Sequence, residues 1–275
     1  MELTAASRRR ARASRGRWHL ALYAGCALVF FFLMAPLVVV FPISLSSSAY
    51  LQFPPPGWSL RWYEAYFADP SWIDATVRSL KVAAATTVLS TLLGTLLAFS
   101  LVRGRYPGKS VVNQISLLPL IVPVIVYSIA VYGWFGQLRL IGQWEAIVLG
   151  HTVHAIPFVV IVVTAALRTF DISQEQAAMS LGASRAVAVW RITLPQIRPS
   201  LVSAAFLAFI SSFDELVVAM FLGGSNMTLP KKMFDNIVNE IDPTIAAVSV
   251  VQIMLVTLVL IVVSKLGAGA VPTEK

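Results

Sequence analysis

Long apolar segments alternate with short polar ones along the whole chain. A helix needs about 20 apolar residues to cross the hydrocarbon of a bilayer. Six segments have roughly that length, at approximately residues 19–45, 77–102, 111–135, 144–167, 201–222 and 244–263. The pattern therefore predicts an all-α membrane protein with about six transmembrane helices, built as a single membrane domain over residues 19–266. The first segment is long for a secretory signal, so we interpret it as an uncleaved span.

Composition supports a lipid environment. The chain is 57% hydrophobic and only 12% charged, whereas soluble domains carry about 25% charged residues. So few charges cannot cover a water-facing surface. A single cysteine, Cys26, cannot form an internal disulfide.

The distribution of positive charge predicts the topology. Six arginines precede the first apolar segment, at positions 8, 9, 10, 12, 15 and 17. With both termini placed inside, fifteen of the 21 lysines and arginines fall on the cytoplasmic side, as the positive-inside rule requires. We therefore expect cytoplasmic tails at residues 1–18 and 267–275. No aromatic or basic-groove pattern accompanies the arginines, so nucleic-acid binding is not expected.

Two segments between the predicted spans face the outside in this topology. Residues 41–75 contain three consecutive prolines, Pro54 to Pro56, and then aromatic residues at helical spacing. Residues 223–243 place five apolar side chains on one helical face: Met233, Phe234, Ile237, Val238 and Ile241. Each segment is either a docking surface for an outside partner or a helix lying at the membrane interface.

The longest inside connection, residues 168–200, is predicted to form two short helices. Ser173 followed by Gln176 fits a capping box, and Glu175 would place a negative charge in the first turn. Gly182 suits the left-handed turn that ends a helix. A second short helix would follow from Ser184, before Pro195 interrupts the chain.

This loop resembles that of the permeases of binding-protein-dependent ABC importers, which reads E-A-A, three residues, G, nine residues, I-x-L-P. The matching residues are Gln176, Ala177, Ala178, Gly182, Ile192, Leu194 and Pro195. One position departs, because Gln176 stands where the family has glutamate and Glu175 precedes it. The resemblance implies the type I importer fold and a coupling helix seated in a groove of a separate ATPase subunit. We call residues 168–200 the coupling loop.

The stretches 212–218, 228–234 and 241–249 are similar to the spermidine/putrescine permease subgroup. The resemblance implies a prokaryotic inner-membrane protein that works with a dimer of ATP-binding subunits. It also implies a second permease, a paralogue rather than a copy, and a soluble solute-binding protein. The solute implied is a polyamine or a similar small cation.

One segment nearly imitates a phosphate-binding loop. Residues 104–110 read GRYPGKS, but only three residues separate the glycines and a membrane span precedes them in place of a strand. We therefore expect no ATPase activity, no catalytic residues and no cofactor in this chain. ATP and Mg²⁺ would be bound by the partner subunit.

His151 and His154 share one face of the fourth span. A metal site would need further ligands, and no cysteine or acidic cluster accompanies the two histidines. We therefore favour packing or interhelical hydrogen bonds over a metal site.

Two acids lie within the fifth apolar segment, Asp214 and Glu215. A charge inside a membrane helix is costly and is a functional candidate by default. One acid would face the translocation path and attract a cationic solute, while the other would pair with Arg78 or Lys81. The open alternative is that both acids only hold helices together.

We therefore expect the permease subunit of an ATP-driven importer for a small organic solute. The alternative is a stand-alone ion-coupled secondary transporter or channel. A secondary transporter would more often show an inverted repeat or more spans, and the loop motif would have no role in it.

Overall fold

The computed structural model describes the backbone of residues 5–239 and 242–268, and the side chains of residues 22–239 and 242–265. The chain divides into two compact units. The first consists of Met1–Tyr66 with Ile241–Val251, and the second of Phe67–Glu240 with Gln252–Lys275.

The first unit is built around helix α1, Ala5–Ser44, and most of helix α2, Arg61–Ala68. The extended segment between them makes one antiparallel bridge, from Ser46 to Trp58. The Ser44 and Tyr63 hydroxyls lie 2.8 Å apart, which ties the end of α1 to α2. The predicted aromatic helix is thus confirmed.

The second unit contains the remaining helices, of which the last is shared with the first unit. These are α3 (Pro70–Arg103), α4 (Lys109–Ile121), α5 (Val124–Gln137), α6 (Trp144–Thr169), α7 (Ser173–Ser180), α8 (Arg185–Ala188), α9 (Leu194–Gln196), α10 (Arg198–Phe213), α11 (Val217–Leu222), α12 (Leu229–Asn239) and α13 (Thr244–Ala268). Helices α3, α6 and α10 pack against one another and form its core. No sheet is found in the described part of the chain.

Small residues allow these core helices to approach closely. Ala98, Ala155, Ala204 and Ala208 are all fully buried in one cluster. A Cβ placed on Gly94 of α3 would lie 2.7 Å from the Cβ of Val159 on α6. Lipid is as apolar as these side chains, so close packing rather than the hydrophobic effect holds such helices together.

Among the described residues, four helices are long and apolar enough to cross a membrane, and the number of segments rises to six if each of two bent helix pairs is one span. Four are continuous helices: Leu22–Ser44, Pro70–Arg103, Trp144–Thr169 and Thr244–Lys265. The other two are bent helix pairs, with angles of 106° between Lys109–Ile121 and Val124–Gln137 and 72° between Arg185–Gln196 and Arg198–Phe213. The expected all-α membrane fold with about six spans agrees with these segments, whereas the orientation of the termini stays a prediction. The side chains of both predicted tails lie outside the described residues.

The third and fifth predicted spans are not continuous helices, and that part of the prediction is wrong. The third breaks at Val122 and Pro123, because proline has no N–H to donate and disfavours the helical conformation of the residue before it. In the fifth, α10 ends at Phe213 and α11 begins only at Val217.

Candidate functional site

The first helix of the coupling loop is started by an aspartate. Asp171 accepts hydrogen bonds from the backbone N–H of Ser173 at 3.0 Å and from its hydroxyl at 2.8 Å. These bonds from Ser173 hold the pKa of Asp171 below its ordinary value. The predicted capping box is wrong, because Ser173 donates to Asp171 and the N–H of Gln176 bonds instead to the carbonyl of Ile172. An ionised aspartate satisfies the helix start just as well.

The turn at Gly182 is confirmed. Its φ is +92°, the left-handed region that glycine adopts at least cost. The N–H of Gly182 donates to the carbonyl of Met179 at 3.0 Å, and that of Ala183 to Ala178 at 3.1 Å, which ends α7. The second short helix is confirmed as well, since the Ser184 hydroxyl accepts from the N–H of Val187 at 3.4 Å.

A wide π turn, Val189–Thr193, connects α8 to α9. Its last bond runs from the N–H of Leu194 to the carbonyl of Val189, five residues back. Pro195 has no N–H to bond the carbonyl of Arg191, so regular α-helical bonding is interrupted here. Turns of this kind occur often at functional sites.

Glu175 is buried inside the second unit, with only 2% of its surface exposed. Its Oε2 lies 2.5 Å from Nη1 of Arg103 at the end of α3, and its Oε1 accepts a hydrogen bond from the Thr193 hydroxyl. Burial opposes ionisation, but the bonds from Arg103 and Thr193 and the charges of Arg103 and Arg185 outweigh it and keep the pKa of Glu175 below its ordinary value. Glu175 therefore fastens α7 to α3 and to the π turn.

Four apolar side chains of the coupling loop are exposed. The exposed fraction is 90% for Leu181 and 73% for Trp190, and Met179 and Val187 are exposed as well. An apolar patch on a polar loop marks an interaction surface. We call these four residues the exposed patch.

The motif residues differ in how far they are exposed. Gln176, Ala177, Gly182 and Pro195 are exposed, and Ala178, Ile192 and Leu194 are half-buried, with Leu194 packed against the cluster around Ala204. Sequence reasoning missed Arg103 and Thr193, which hold Glu175, and also Leu181 and Trp190. No local sequence pattern connects Arg103 with Glu175, because 72 residues separate them.

The two acids of the fifth segment lie in the break between α10 and α11. Asp214 is the residue at which α10 ends, and its side chain is exposed, within hydrogen-bonding reach of Gln252 on α13. Glu215 is half-buried, and its carboxylate accepts from the N–H of Val218 at 3.0 Å, which caps α11. The acids therefore occupy a helix break, not the middle of a continuous helix.

The expected pairing of one acid with Arg78 or Lys81 is wrong. No ion pair between them occurs in the described ranges; Arg78 and Lys81 line a separate cavity of about 410 Å³ together with Asp74 and Asn226. An acid at the first N–H groups of a short helix is stabilised by hydrogen bonds to the backbone, which removes the need for a cationic partner.

The histidines confirm the packing interpretation. Nδ1 of the buried His151 lies 2.8 Å from the Ser212 hydroxyl, which joins α6 to α10. The ring of His154 lies 6.1 Å from that of Tyr127 on α5. Within the described residues no group of three His, Cys, Asp or Glu side chains is placed to hold a metal ion.

The capped short helix and the glycine turn lie just before α10, in a part of the chain that also matches a known protein family. The profile of the family described as "Binding-protein-dependent transport system inner membrane component" matches residues 90–271. The chain belongs to this family. This permease is therefore a multi-pass transmembrane transport subunit of an ABC importer, and the stand-alone carrier is set aside.

Relatives of this permease serve several solutes. It is 33% identical over 86% of its length to the putrescine transport system permease protein PotI of Escherichia coli K12, and covers 85% of that protein. It is 30% identical over 87% of its length to the spermidine/putrescine permease PotC of Haemophilus influenzae, with 93% coverage. It is also 34% identical over 78% of its length to the molybdenum permease ModB of Mycobacterium bovis, with 84% coverage.

The fold of the permease matches that of solved importers. A chain of a bacterial ABC transporter involved in the import of the acidic polysaccharide alginate superposes with a TM-score of 0.67 at 20% identity, covering 96% of this chain and 99% of that one. The expected type I importer permease fold is thereby confirmed.

Proposed function

We propose that this permease forms the translocation path for a small organic cation of the polyamine class in a prokaryotic inner membrane, with both termini in the cytoplasm. ATP hydrolysis in a dimer of ATP-binding partner subunits, which hold ATP and Mg²⁺, would drive it. A paralogous second permease would complete the path, and a soluble binding protein would deliver the solute.

The coupling loop is the part of the permease that would contact the ATP-binding subunits. Its exposed patch, Met179, Leu181, Val187 and Trp190, lies on both sides of the glycine turn along the chain. Exposed Ala177 adds little bulk, so a partner groove would reach the α7 backbone closely. Glu175 and Arg103 would transmit movement of α7 to α3, because an ion pair that is buried on both sides links the two helices directly.

The outer helix α12 suits contact with the binding protein. Its apolar face includes Phe234, Ile237 and Val238, and the exposed fraction of Val238 reaches 64%. Ile241, expected on the same face, lies outside the described residues. Lys232 anchors the helix start, with its Nζ 3.9 Å from Asp69 and 4.7 Å from the ring centre of Trp72.

The acids of the helix break support a cationic solute. Because Glu215 is engaged as a cap, Asp214 is the acid whose carboxylate remains exposed for a solute amine. Two of the relatives described above are permeases for putrescine or spermidine. Identity alone does not decide between the solutes, since the molybdenum permease is equally similar. The exposed negative charge in the break is the observation that favours an amine.

Uptake by the assembled complex tests this proposal. Asp214→Asn should lower uptake of labelled putrescine or spermidine at least tenfold, since an ionic hydrogen bond is worth about 1.5–3 kcal/mol. Glu64→Gln, the same kind of change at an exposed acid of α2, is the matched control and should transport normally. Unchanged affinity and rate in an assembled Asp214→Asn complex would remove the support for a cationic solute.

A further inference from the structure

Two neighbouring cavities open between α3 and the coupling loop. The first, which we call the trough, has a volume of about 880 Å³ and runs along α3 from Thr87 to Phe99. The second, which we call the basic cavity, has about 840 Å³ and lies beyond the end of α3. Phe99, Arg185 and Val189 line both, so the two cavities adjoin each other.

The trough has the character and length of an acyl-chain site. Val88, Leu92 and Leu96 of α3 form its floor and are 57–67% exposed. At about 1.5 Å per residue the stretch from Thr87 to Phe99 rises about 18 Å, close to the roughly 15 Å depth of one leaflet's hydrocarbon.

The basic cavity has the opposite character. Arg103, Arg105, Lys109 and Arg185 line it, and no acidic side chain is among its described lining residues. Helix α4 begins at Lys109, so its positive dipole end lies at the same cavity. The charge of this cavity suits a phosphate group.

Arg103 supplies an independent sign of a missing ligand. Its side chain is only 10% exposed, and Nη1 is bound to Glu175. Nη2 is buried without a hydrogen-bond partner. A guanidinium with an unused buried donor is costly, and a phosphate oxygen in the adjoining cavity would supply the acceptor that this side chain lacks.

We propose that the trough and the basic cavity together bind one anionic phospholipid of the surrounding membrane. The phosphate lies among Arg103, Arg105, Lys109 and Arg185, and an acyl chain lies along α3. This assigns a role to the GRYPGKS segment, which supplies the cationic side chains of Arg105 and Lys109 without forming a nucleotide site. The lipid bridges α3 and the coupling loop and is independent of the solute carried.

Native mass spectrometry of the delipidated, assembled complex tests the charge requirement. We expect phosphatidylglycerol to bind more tightly than phosphatidylcholine with the same chains. Arg105→Gln with Arg185→Gln should weaken phosphatidylglycerol binding about thirtyfold, at about 1 kcal/mol per charge. Arg191→Gln, a loop arginine that does not line either cavity, should leave the binding unchanged. Equal binding of the two lipids, or an equal loss in Arg191→Gln, would overturn the proposal.

Further experiments distinguish a bound lipid from other occupants of the two cavities. Leu92→Trp should fill the trough and weaken lipid binding with the charges intact, whereas Ile161→Trp, at an exposed position on α6, should not. Full displacement of the lipid by inorganic phosphate or ATP would mean a soluble-anion site and overturn the proposal. Efficient crosslinking of Leu92→Cys to the second permease would mean that a protein helix covers the trough, with the same consequence.

Discussion

The buried ion pair between Arg103 and Glu175 stabilises the attachment of α7 to the end of α3. Glu175→Gln keeps the shape of the side chain but leaves the Arg103 charge without its partner. The two side chains are 10% and 3% exposed, and removal of one partner of a buried pair costs about 3–5 kcal/mol. We take about 3 kcal/mol, the lower end of this range, because Arg103 lies at the edge of the basic cavity and is not enclosed by protein on every side. That loss raises the population of detached α7 roughly 100-fold.

Hydrogen exchange of the α7 amides in the assembled complex measures this population. We expect exchange in Glu175→Gln to accelerate by a similar factor, and solute-stimulated ATPase activity to fall. The double variant Glu175→Gln/Arg103→Gln should lose less stability of α7 than the sum of the two single variants, since the second change removes the unpaired charge of Arg103. Glu145→Gln, at an exposed acid in the first turn of α6, is the control. Equal exchange in Glu175→Gln and the control would refute the reasoning.

The same pair predicts a pH dependence. Burial alone would raise the pKa of Glu175, but Arg103 and Thr193 more than compensate, so folding lowers it from its ordinary value of 4.5. The stabilisation is therefore complete above about pH 4.5 and is lost as the pH falls through the lowered folded pKa. Once the measured exchange is corrected for the intrinsic rate at each pH, the opening population of α7 in the wild type should rise in this acid range, whereas Glu175→Gln should show less change. An identical acid response of both proteins would assign the effect to other groups.

Two glycines give further predictions. Gly182→Val should abolish solute-stimulated ATPase activity but leave assembly intact, since no atom lies within 4 Å of the added Cβ and only the φ of +92° opposes the change, at about 1–3 kcal/mol. Gly182→Asn should have a milder effect because Asn tolerates this φ. Normal stimulation of ATPase activity in the Val variant would contradict the coupling role. Gly94→Leu should prevent stable assembly, seen as loss of the complex in size-exclusion chromatography, because its Cβ would lie 2.7 Å from that of Val159. Gly133→Leu, with nothing within 4 Å of its Cβ, is the control. An assembled Gly94→Leu complex would show that α3 and α6 separate easily.

Local chemistry explains which features the sequence could predict. Membrane segments depend on the apolar content of about 20 consecutive residues, so the sequence predicts the four continuous spans but not the breaks within the third and fifth segments. The turn at Gly182 and the short helix after Ser184 depend on the backbone preferences of single residues, and the structure has both. The capping of α7 was assigned wrongly, because Asp171 and Ser173 are both good caps and only their mutual hydrogen bonds decide which one acts.

Residue order alone establishes the class of protein, the loop motif and the presence of two acids in the fifth segment. The role of each charge depends instead on how the folded chain packs. Arg103 lies 72 residues from Glu175, and no local pattern connects them; packing of α7 against the end of α3 removes both from water and makes them partners. Helix α10 likewise ends at Phe213. In the break that follows, Glu215 accepts a hydrogen bond from the N–H of Val218, whereas Asp214 stays exposed. Burial and partners are properties of the packed chain, and these properties separate a structural acid from a candidate solute contact.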